Sequence, residues 1–201
     1  GATALYSDEE IDYDGFDHET DHIDRSRAAG SVYASFETGS VTNKITRSFS
    51  NTDRYDLNGW NKSFIGKRDV WSYTGQTILN GANVTFGYEN IAEEANIDGQ
   101  IEDYKETALV SEIIYALGNS SDISLAARQT SSKNYGDDTT FRIASINRHQ
   151  NELTSRLVLS SGFRAPSLYE LFDSFYGNST FIPETSLNAE IGLVKKITEA
   201  T

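Results

Sequence analysis

The sequence predicts an all-β protein: an antiparallel, up-and-down transmembrane β-barrel, present in part, as about ten strands of a larger barrel. Apolar and polar residues alternate with a period of two through most of the chain, which is the pattern of β-strands. Only two prolines occur in 201 residues, Pro166 and Pro183, so the first part of the chain has no proline to interrupt a sheet. Short and long connections alternate, as in membrane barrels, whereas a soluble β-sandwich has no reason to alternate them.

In chain order, the alternation and the turn residues predict ten strands and two kinds of connection. The strands are predicted at about 1–6, 25–38, 41–53, 68–79, 83–94, 104–117, 121–131, 139–148, 151–164 and 186–198. Tight turns are predicted near 38–40, 79–81, 118–120 and 148–150. Longer loops are predicted at 7–24, 54–67, 95–103, 132–138 and 165–185. In a membrane barrel the tight turns form the periplasmic rim and the longer loops form the opposite rim.

The alternation also predicts which side chains share a face. In segment 151–164, Leu157 falls on an apolar face and Arg156 on a polar one. A membrane barrel turns its apolar face toward lipid and its polar face toward the lumen, so Leu157 and Ile191 are predicted to point outward. Ten strands alone leave two open sheet edges that lipid cannot satisfy, so further strands are expected to complete the barrel.

Composition excludes several classes of protein. The chain has no cysteine, which excludes a disulfide scaffold, a cysteine-ligated zinc site and a cysteine nucleophile. No apolar run approaches the roughly 18 residues of a membrane helix. The net charge of −13 is concentrated in residues 7–24, which contain nine acids and no Lys or Arg. A nucleic-acid partner is therefore not expected, because the electrostatic footprint has the wrong sign.

The acidic segment contains a pattern that approximates a calcium loop. Its oxygen ligands would come from Glu10, Asp12, Asp14 and Asp21, with Gly15 at the sharp turn. The first and last ligand types are exchanged relative to the usual pattern, and no flanking helices are predicted. The alternative is a solvated surface loop without a bound ion. Calcium is the one cofactor that the sequence suggests.

The same segment spells His18-Glu19-Thr20-Asp21-His22, which has the spacing of a zinc hydrolase motif. That chemistry needs a helix that places both histidines on one face, with the glutamate as general base. No helix is predicted at this position, so we interpret the match as a coincidence. The chain also lacks a Gly-x-Ser-x-Gly elbow and a Gly-rich phosphate loop, and we predict that it is not an enzyme.

Three arginines, Arg128, Arg142 and Arg156, are spaced fourteen residues apart on the predicted lumen face of consecutive strands. Arg164 extends the series. Like charges side by side destabilise a sheet, so such a row implies a counter-charge from lumenal acids or from a plug domain that fills the barrel. The alternative is that register differences separate the arginines and that water solvates each one.

Residues 165–185 form the longest predicted loop. Residues 166–171 are predicted to form one helical turn, with Pro166 at its first position. Four aromatic residues follow: Phe172, Phe175, Tyr176 and Phe181. Aromatic rings on an outer loop stack on a ligand or pack against the rim, and we predict rim packing.

The order of motifs in residues 162–192 resembles TonB-dependent outer-membrane receptors. That family contains a Gly-Phe-(Lys/Arg)-Ala-Pro-x-Leu-x-(Glu/Gln)-Leu stretch, followed by Pro-Glu-x-Ser and Glu-x-Gly. Here the three elements are Gly162 to Leu171, Pro183 to Ser186, and Glu190 with Gly192. The resemblance implies that residues 1–201 are part of the receptor's β-barrel domain. It also implies that the plug domain and the C-terminal strands of the barrel lie outside this chain.

The resemblance further implies a function and a location. The whole receptor would import a scarce ligand, cobalamin or a ferric siderophore, across the outer membrane of a Gram-negative bacterium with energy from TonB. Its partners would be membrane lipid, the plug domain of the same receptor, the ligand, and the TonB complex through the receptor's N-terminal region. Two other classes remain: a passive porin or structural barrel, and an outer-membrane hydrolase.

Overall fold

The computed structural model describes residues 1–14, 20–57, 59, 62–150 and 152–196. These residues form ten β-strands and one short helix. The strands are β1 (Ala2–Asp14), β2 (Thr20–Thr38), β3 (Val41–Asp56), β4 (Ser63–Leu79), β5 (Ala82–Ile97), β6 (Gln100–Leu117), β7 (Ser121–Ser132), β8 (Gly136–Arg148), β9 (Leu153–Arg164) and β10 (Glu184–Lys195). The helix α1 (Leu168–Phe172) lies between β9 and β10.

The strands form one sheet in the order β1 to β10, and each strand is antiparallel to the next. This confirms the predicted all-β, up-and-down architecture. Within the described part of the chain, β1 and β10 are each paired on one side only, so the sheet has two edges. None of the described helical residues belongs to a helix long and apolar enough to span a membrane.

Several strands are longer than predicted, and the loops between them are correspondingly shorter. β1 continues to Asp14, so most of the predicted loop 7–24 is a β-hairpin. The predicted loop 95–103 is a two-residue turn in which Asp98 and Gly99 have φ angles of +51° and +95°. Positive φ at both central residues defines a type I′ hairpin turn, for which Asp-Gly is a preferred sequence. The prediction of a longer loop was therefore wrong at the β5–β6 connection, whereas residues 165–183 form a long connection at the same rim, as predicted.

The two faces of the sheet differ in composition, as the alternation predicted. We call the face covered by α1 the inner face and the opposite one the outer face. Most large exposed apolar side chains of the strands are on the outer face. Leu157 and Ile191 are cross-strand partners there, with 48% and 77% of their surface exposed. The predicted outward orientation of these two residues is confirmed.

The apolar part of the outer face is a band on the side of the tight turns. In β6 it runs from Leu109 to Leu117, whereas Asp103 and Lys105 occupy the same face closer to the other rim. Nine strand residues rise about 30 Å, and a tilt of about 40° reduces the height to roughly 23 Å. That height agrees with the apolar band of about 25 Å that membrane barrels expose to lipid.

Candidate functional site

The inner face and the loop that folds onto it contain the predicted arginines, their acidic partners and the aromatic residues of segment 165–183. We call residues 165–183, which connect β9 to β10, the strap. The strap includes α1, and α1 packs on the inner face of β5 and β6 instead of extending from the rim. Because β7 and β8 lie between β9 and β6, the strap crosses the inner face of the sheet.

The helix begins with a capping box. Ser167 is the N-cap: its Oγ accepts a hydrogen bond from the Glu170 amide at 3.2 Å, and its own amide donates to the Glu170 carboxylate at 2.8 Å. Reciprocal bonds of this kind satisfy two amides that a helix start otherwise leaves free. Pro166 therefore precedes the N-cap, and the prediction that it occupies the first helical position was wrong.

Ion pairs join the two ends of the strap. Arg164, the last residue of β9, donates hydrogen bonds to Glu170 in α1 at 3.1 Å. The same guanidinium donates to Glu184, the first residue of β10, at 3.0 and 3.2 Å. The strap thus leaves β9 and returns to β10 at a single arginine that also contacts its helix. The Arg164 guanidinium, together with Ser167, lowers the pKa of the Glu170 carboxyl to about 2.

The helix of the strap makes apolar contacts with the sheet. Leu168 is buried against Ala95, Ile97 and Tyr104 of the β5–β6 hairpin. Tyr169 meets the ring of Phe64 edge to face, with ring centroids 5.9 Å apart. These buried contacts form the main apolar cluster in the described part of the chain. Their position explains why α1 turns inward: it covers apolar surface at the end of β5 and β6.

Phe172, the last residue of α1, and the two aromatic residues in the turn after it differ in their contacts. Phe172 packs against the apolar cluster, whereas Phe175 and Tyr176 are exposed and contact each other with ring centroids 4.9 Å apart. Asp173 shapes this turn, because its Oδ1 accepts hydrogen bonds from the amides of both exposed residues at 2.9 and 2.7 Å. Burial acts to raise the pKa of Asp173, but these amides and the side chain of Tyr169 outweigh it and lower the pKa. The predicted rim packing is thus met by Phe172 and not by Phe175 or Tyr176.

The four predicted arginines all lie on the inner face. They do not form a row of neighbours, because Arg142 is the cross-strand partner of Ala126 and Ser160, and Arg156 is the partner of Ile146. The register therefore staggers them along the sheet. This is the alternative in which register differences separate the charges.

Acids of the wall neutralise three of these arginines. Arg128 donates to Glu89 and, at 3.0 Å, to Glu106. The pairs of the other two are Arg156 with Glu190 and Arg164 with Glu170 and Glu184. Arg142 makes no ion pair with any described residue. Sequence reasoning did not identify these acids, although the period of two places the strand acids Glu89, Glu106, Glu184 and Glu190 on the same face as the arginines; Glu170 lies in α1.

Two cavities open on the inner face beside these arginines. One, of about 590 Å³, lies beneath the strap, between Pro166 and Leu168 on one side and Tyr104, Glu106 and Arg128 on the other. The second, of about 540 Å³, is lined by Glu112, Arg128, Arg142 and Ser160, among others. Arg128, Thr140 and Ser161 line both cavities, so the two adjoin at β8 and β9.

The predicted calcium ligands do not converge. Asp12 pairs with His22 on the outer face, and Glu10 and Asp14 share that face of β1. Asp21 is the partner of Tyr13, so it lies on the inner face. No group of three or more His, Asp or Glu side chains within the described ranges is arranged to hold a metal ion. Calcium binding at this hairpin stays a prediction, with the three outer-face acids as adjacent oxygen donors.

The zinc hydrolase spacing falls in the same hairpin. His18 and Glu19 lie outside the described residues. His22 belongs to a strand, and its two ring nitrogens contact Asp12 and Asp24 at 3.0 Å each. A strand cannot place residues four apart in the manner of the helix that a zincin requires. The described end of the pattern, with His22, is therefore in a strand and not in a helix.

Comparison with known proteins identifies the family. A family model described as TonB dependent receptor-like, beta-barrel, matches residues 2–198. The chain belongs to the TonB-dependent receptor family. No curated protein matches the sequence. This membership confirms the resemblance that the motifs in residues 162–192 suggested.

Solved structures of receptors have the same fold. The siderophore receptor PirA from Pseudomonas aeruginosa is 16% identical with a TM-score of 0.77, over 94% of this chain and 38% of the receptor. PirA from Acinetobacter baumannii is 14% identical with a TM-score of 0.70, over 89% of this chain and 33% of the receptor. The chain therefore spans about a third of each receptor's length. At this identity the likeness shows the fold, a barrel wall of the TonB-dependent type.

Proposed function

We propose that this chain is part of the barrel of an active-transport receptor in the outer membrane of a Gram-negative bacterium. The receptor imports a scarce ligand, a ferric siderophore or cobalamin, with energy supplied through TonB. The main support is the arrangement of the wall: a ten-stranded sheet with an apolar band outside and charged groups inside. Membership of the receptor family connects this arrangement with transport.

The proposal includes the parts that the chain does not contain. The two free edges of the sheet pair with further strands of the same receptor, because lipid offers no hydrogen-bond partners to an open edge. A plug domain of the receptor fills the lumen, and Arg128, Arg142, Arg156 and Arg164 face it or the ligand. The N-terminal region of the receptor contacts the TonB complex. Membrane lipid covers the apolar band.

Between the two ligand classes, the structural neighbours favour the siderophore. The two PirA structures compared above are named as siderophore receptors. The exposed rings of Phe175 and Tyr176, next to the strap helix, offer a platform on which an aromatic iron chelator stacks. Cobalamin is the second candidate, and no nucleic-acid partner is proposed.

The test is uptake by cells that produce the complete receptor. Ferric siderophores and cobalamin are supplied separately, in strains with and without TonB. We expect accumulation of one ligand only when TonB is present. Passive entry in both strains would identify a porin. Loss of a hydrolytic activity after His22→Ala would identify an enzyme, which the receptor family and its structural neighbours do not suggest.

A further inference from the structure

The wall opens between β8 and β9 near the rim that contains the strap. The two strands have 13 and 12 residues, but their ladder contains only seven pairs and ends at Arg142 and Ser160. Neighbouring pairs of strands are joined over twelve or more residues. We call the gap between residues 136–141 of β8 and 161–164 of β9 the fork. Both inner-face cavities are lined by residues of the fork.

Backbone groups of β8 point into the fork. In an antiparallel ladder, successive residues direct their N–H and C=O groups to alternate neighbours. The Phe141 amide donates toward β9, to Ser161 Oγ at 3.0 Å, and the Arg148 amide donates toward β7, to the Ser120 carbonyl at 2.7 Å. The backbone N–H and C=O groups of odd-numbered residues in β8 therefore point toward β9. The backbone groups of Asp137 and Thr139 enter the fork, where no described residue pairs with them.

A charged side chain stands at the base of the fork. Arg142 is in the last pair of the ladder and lies on the inner face, without an acid among the described residues. The neighbouring inner-face arginines differ: Arg128 and Arg148 both form ion pairs with wall acids. At the fork, therefore, an arginine that has no acidic partner in the described wall lies next to backbone groups that have no partner strand.

We propose that an extended segment of the receptor's plug docks in the fork as an added strand and sets a carboxylate against Arg142. This proposal rests on the proposed function, because it needs a plug in the lumen. An extended backbone matches the spacing of free groups along a strand edge. A carboxylate matches the guanidinium, with which it forms two parallel hydrogen bonds.

The surrounding charges restrict the segment further. Glu112 faces the same cavity as Arg142 from two strands away, roughly 10 Å, and accepts a hydrogen bond from Ser124. Asp138 is on the inner face of β8, four residues from Arg142, a rise of roughly 13 Å. These two acids disfavour a run of negative charge. The segment therefore carries a single acid opposite Arg142, with neutral or basic residues beside it.

The test is amide hydrogen exchange, resolved by residue, in the complete receptor and in the same receptor with its plug deleted. We expect the amides of Asp137 and Thr139 to exchange about tenfold or more slowly when the plug is present. The amides of Asp138 and Thr140 point to β7 and serve as internal controls that stay slow in both proteins. Equal exchange of Asp137 and Thr139 in the two proteins, fast or slow, overturns the proposal.

A substitution tests the same contact if the receptor without a plug does not fold. Arg142→Gln in the complete receptor is expected to restore fast exchange at Asp137 and Thr139, and Arg142→Glu to do so more strongly. Arg148→Gln is the matched control, because Arg148 is on the same strand and face but pairs with Asp122. Unchanged protection in Arg142→Glu contradicts the docking.

Uptake by the same proteins separates this proposal from the proposed function. A receptor that imports its ligand in a TonB-dependent manner, while the fork amides exchange fast, contradicts only the docking. Protected fork amides in a protein that never imports contradict only the transport function.

Discussion

The β5–β6 hairpin and the β8–β9 pair are both made of adjacent antiparallel strands, yet they differ in completeness. β5 and β6 are paired over 16 residues, end in a two-residue turn and receive the strap on their inner face. β8 and β9 are paired over seven residues and diverge at the same rim. The wall therefore pairs its own backbone groups throughout the β5–β6 hairpin. In the β8–β9 pair, by contrast, the backbone groups of Asp137 and Thr139 have no partner among the described residues.

The largest expected effect comes from the apolar attachment of the strap to β5 and β6. Leu168→Ala removes a buried side chain and leaves a cavity, which costs about 2–4 kcal/mol of the strap's docking free energy. Chymotrypsin cleavage within residues 165–183 should rise by about 30-fold or more. Leu187→Ala, on the exposed outer face, is the control. Equal cleavage in the two variants would show that the strap does not depend on this cluster.

Acid should release the charged attachment of the strap. The pKa of Glu170 lies at about 2, below its ordinary value of 4.5, because the carboxylate is bonded to Arg164 and Ser167. A depressed pKa means that the contribution is complete above about pH 4.5 and is lost as the pH falls toward 2. Pepsin cleavage of the strap should therefore increase severalfold as the pH falls through this window. The rate is compared with cleavage of an unfolded substrate at each pH, which corrects for the pH dependence of pepsin itself. In Glu170→Gln most of that pH dependence should disappear.

A substitution in the Asp98–Gly99 turn of the β5–β6 hairpin is expected to have an effect of intermediate size. Asp98→Ala replaces a residue type that tolerates a φ of +51° with one that does not, and it removes the oxygen that accepts a hydrogen bond from the Ser63 amide at 2.8 Å. The expected loss of stability is about 1–2 kcal/mol. Asp98→Asn should stay near wild type, since asparagine tolerates this conformation. Exchange rates of the β5–β6 amides measure the stability of both variants. Equal rates in Asp98→Ala and in the unmodified protein would contradict the role of the turn.

The smallest effect is expected at the fork. Ser161→Ala removes the Oγ that accepts the Phe141 amide above the end of the ladder, at a cost of about 0.5–1 kcal/mol. Exchange of the Phe141 amide should become severalfold faster, with no change in the β5–β6 hairpin. Ser160→Ala is the control, because the Ser160 hydroxyl makes no hydrogen bond with a described residue. A large global destabilisation would contradict this prediction, because it would show that β8 and β9 are joined more tightly beyond Arg142 and Ser160 than their seven-pair ladder indicates.

The sequence predicted the wall better than the rim. Alternation located all ten strands and the orientation of Leu157 and Ile191, because a period of two reports directly on two different environments. It failed near Asp98, where the outer face becomes largely polar and the apolar residues Ala95, Ile97 and Tyr104 lie on the inner face beneath the strap, so the pattern of the lipid-facing part of the wall no longer applies. The Asp-Gly pair was a turn signal in that segment that could have shortened the predicted loop.

The candidate site shows a similar division. The chain order of residues 162–192 was enough to suggest the receptor family, which the family comparison confirmed. The same residues did not show that Arg164 joins Glu170 to Glu184, or that the strap crosses to β5 and β6. Those contacts depend on where a loop of 19 residues packs, and local propensity does not determine that.

By itself, then, the sequence determined which side chains face together, because side-chain direction in a strand is a local property of the backbone. Which of those side chains meet depends on how the strands and the strap pack together. Register staggers Arg128, Arg142 and Arg156, assigns wall acids to two of them, and leaves Arg142 at the fork. Register and loop packing are set by contacts between distant segments, and these are not written in the pattern of any one strand.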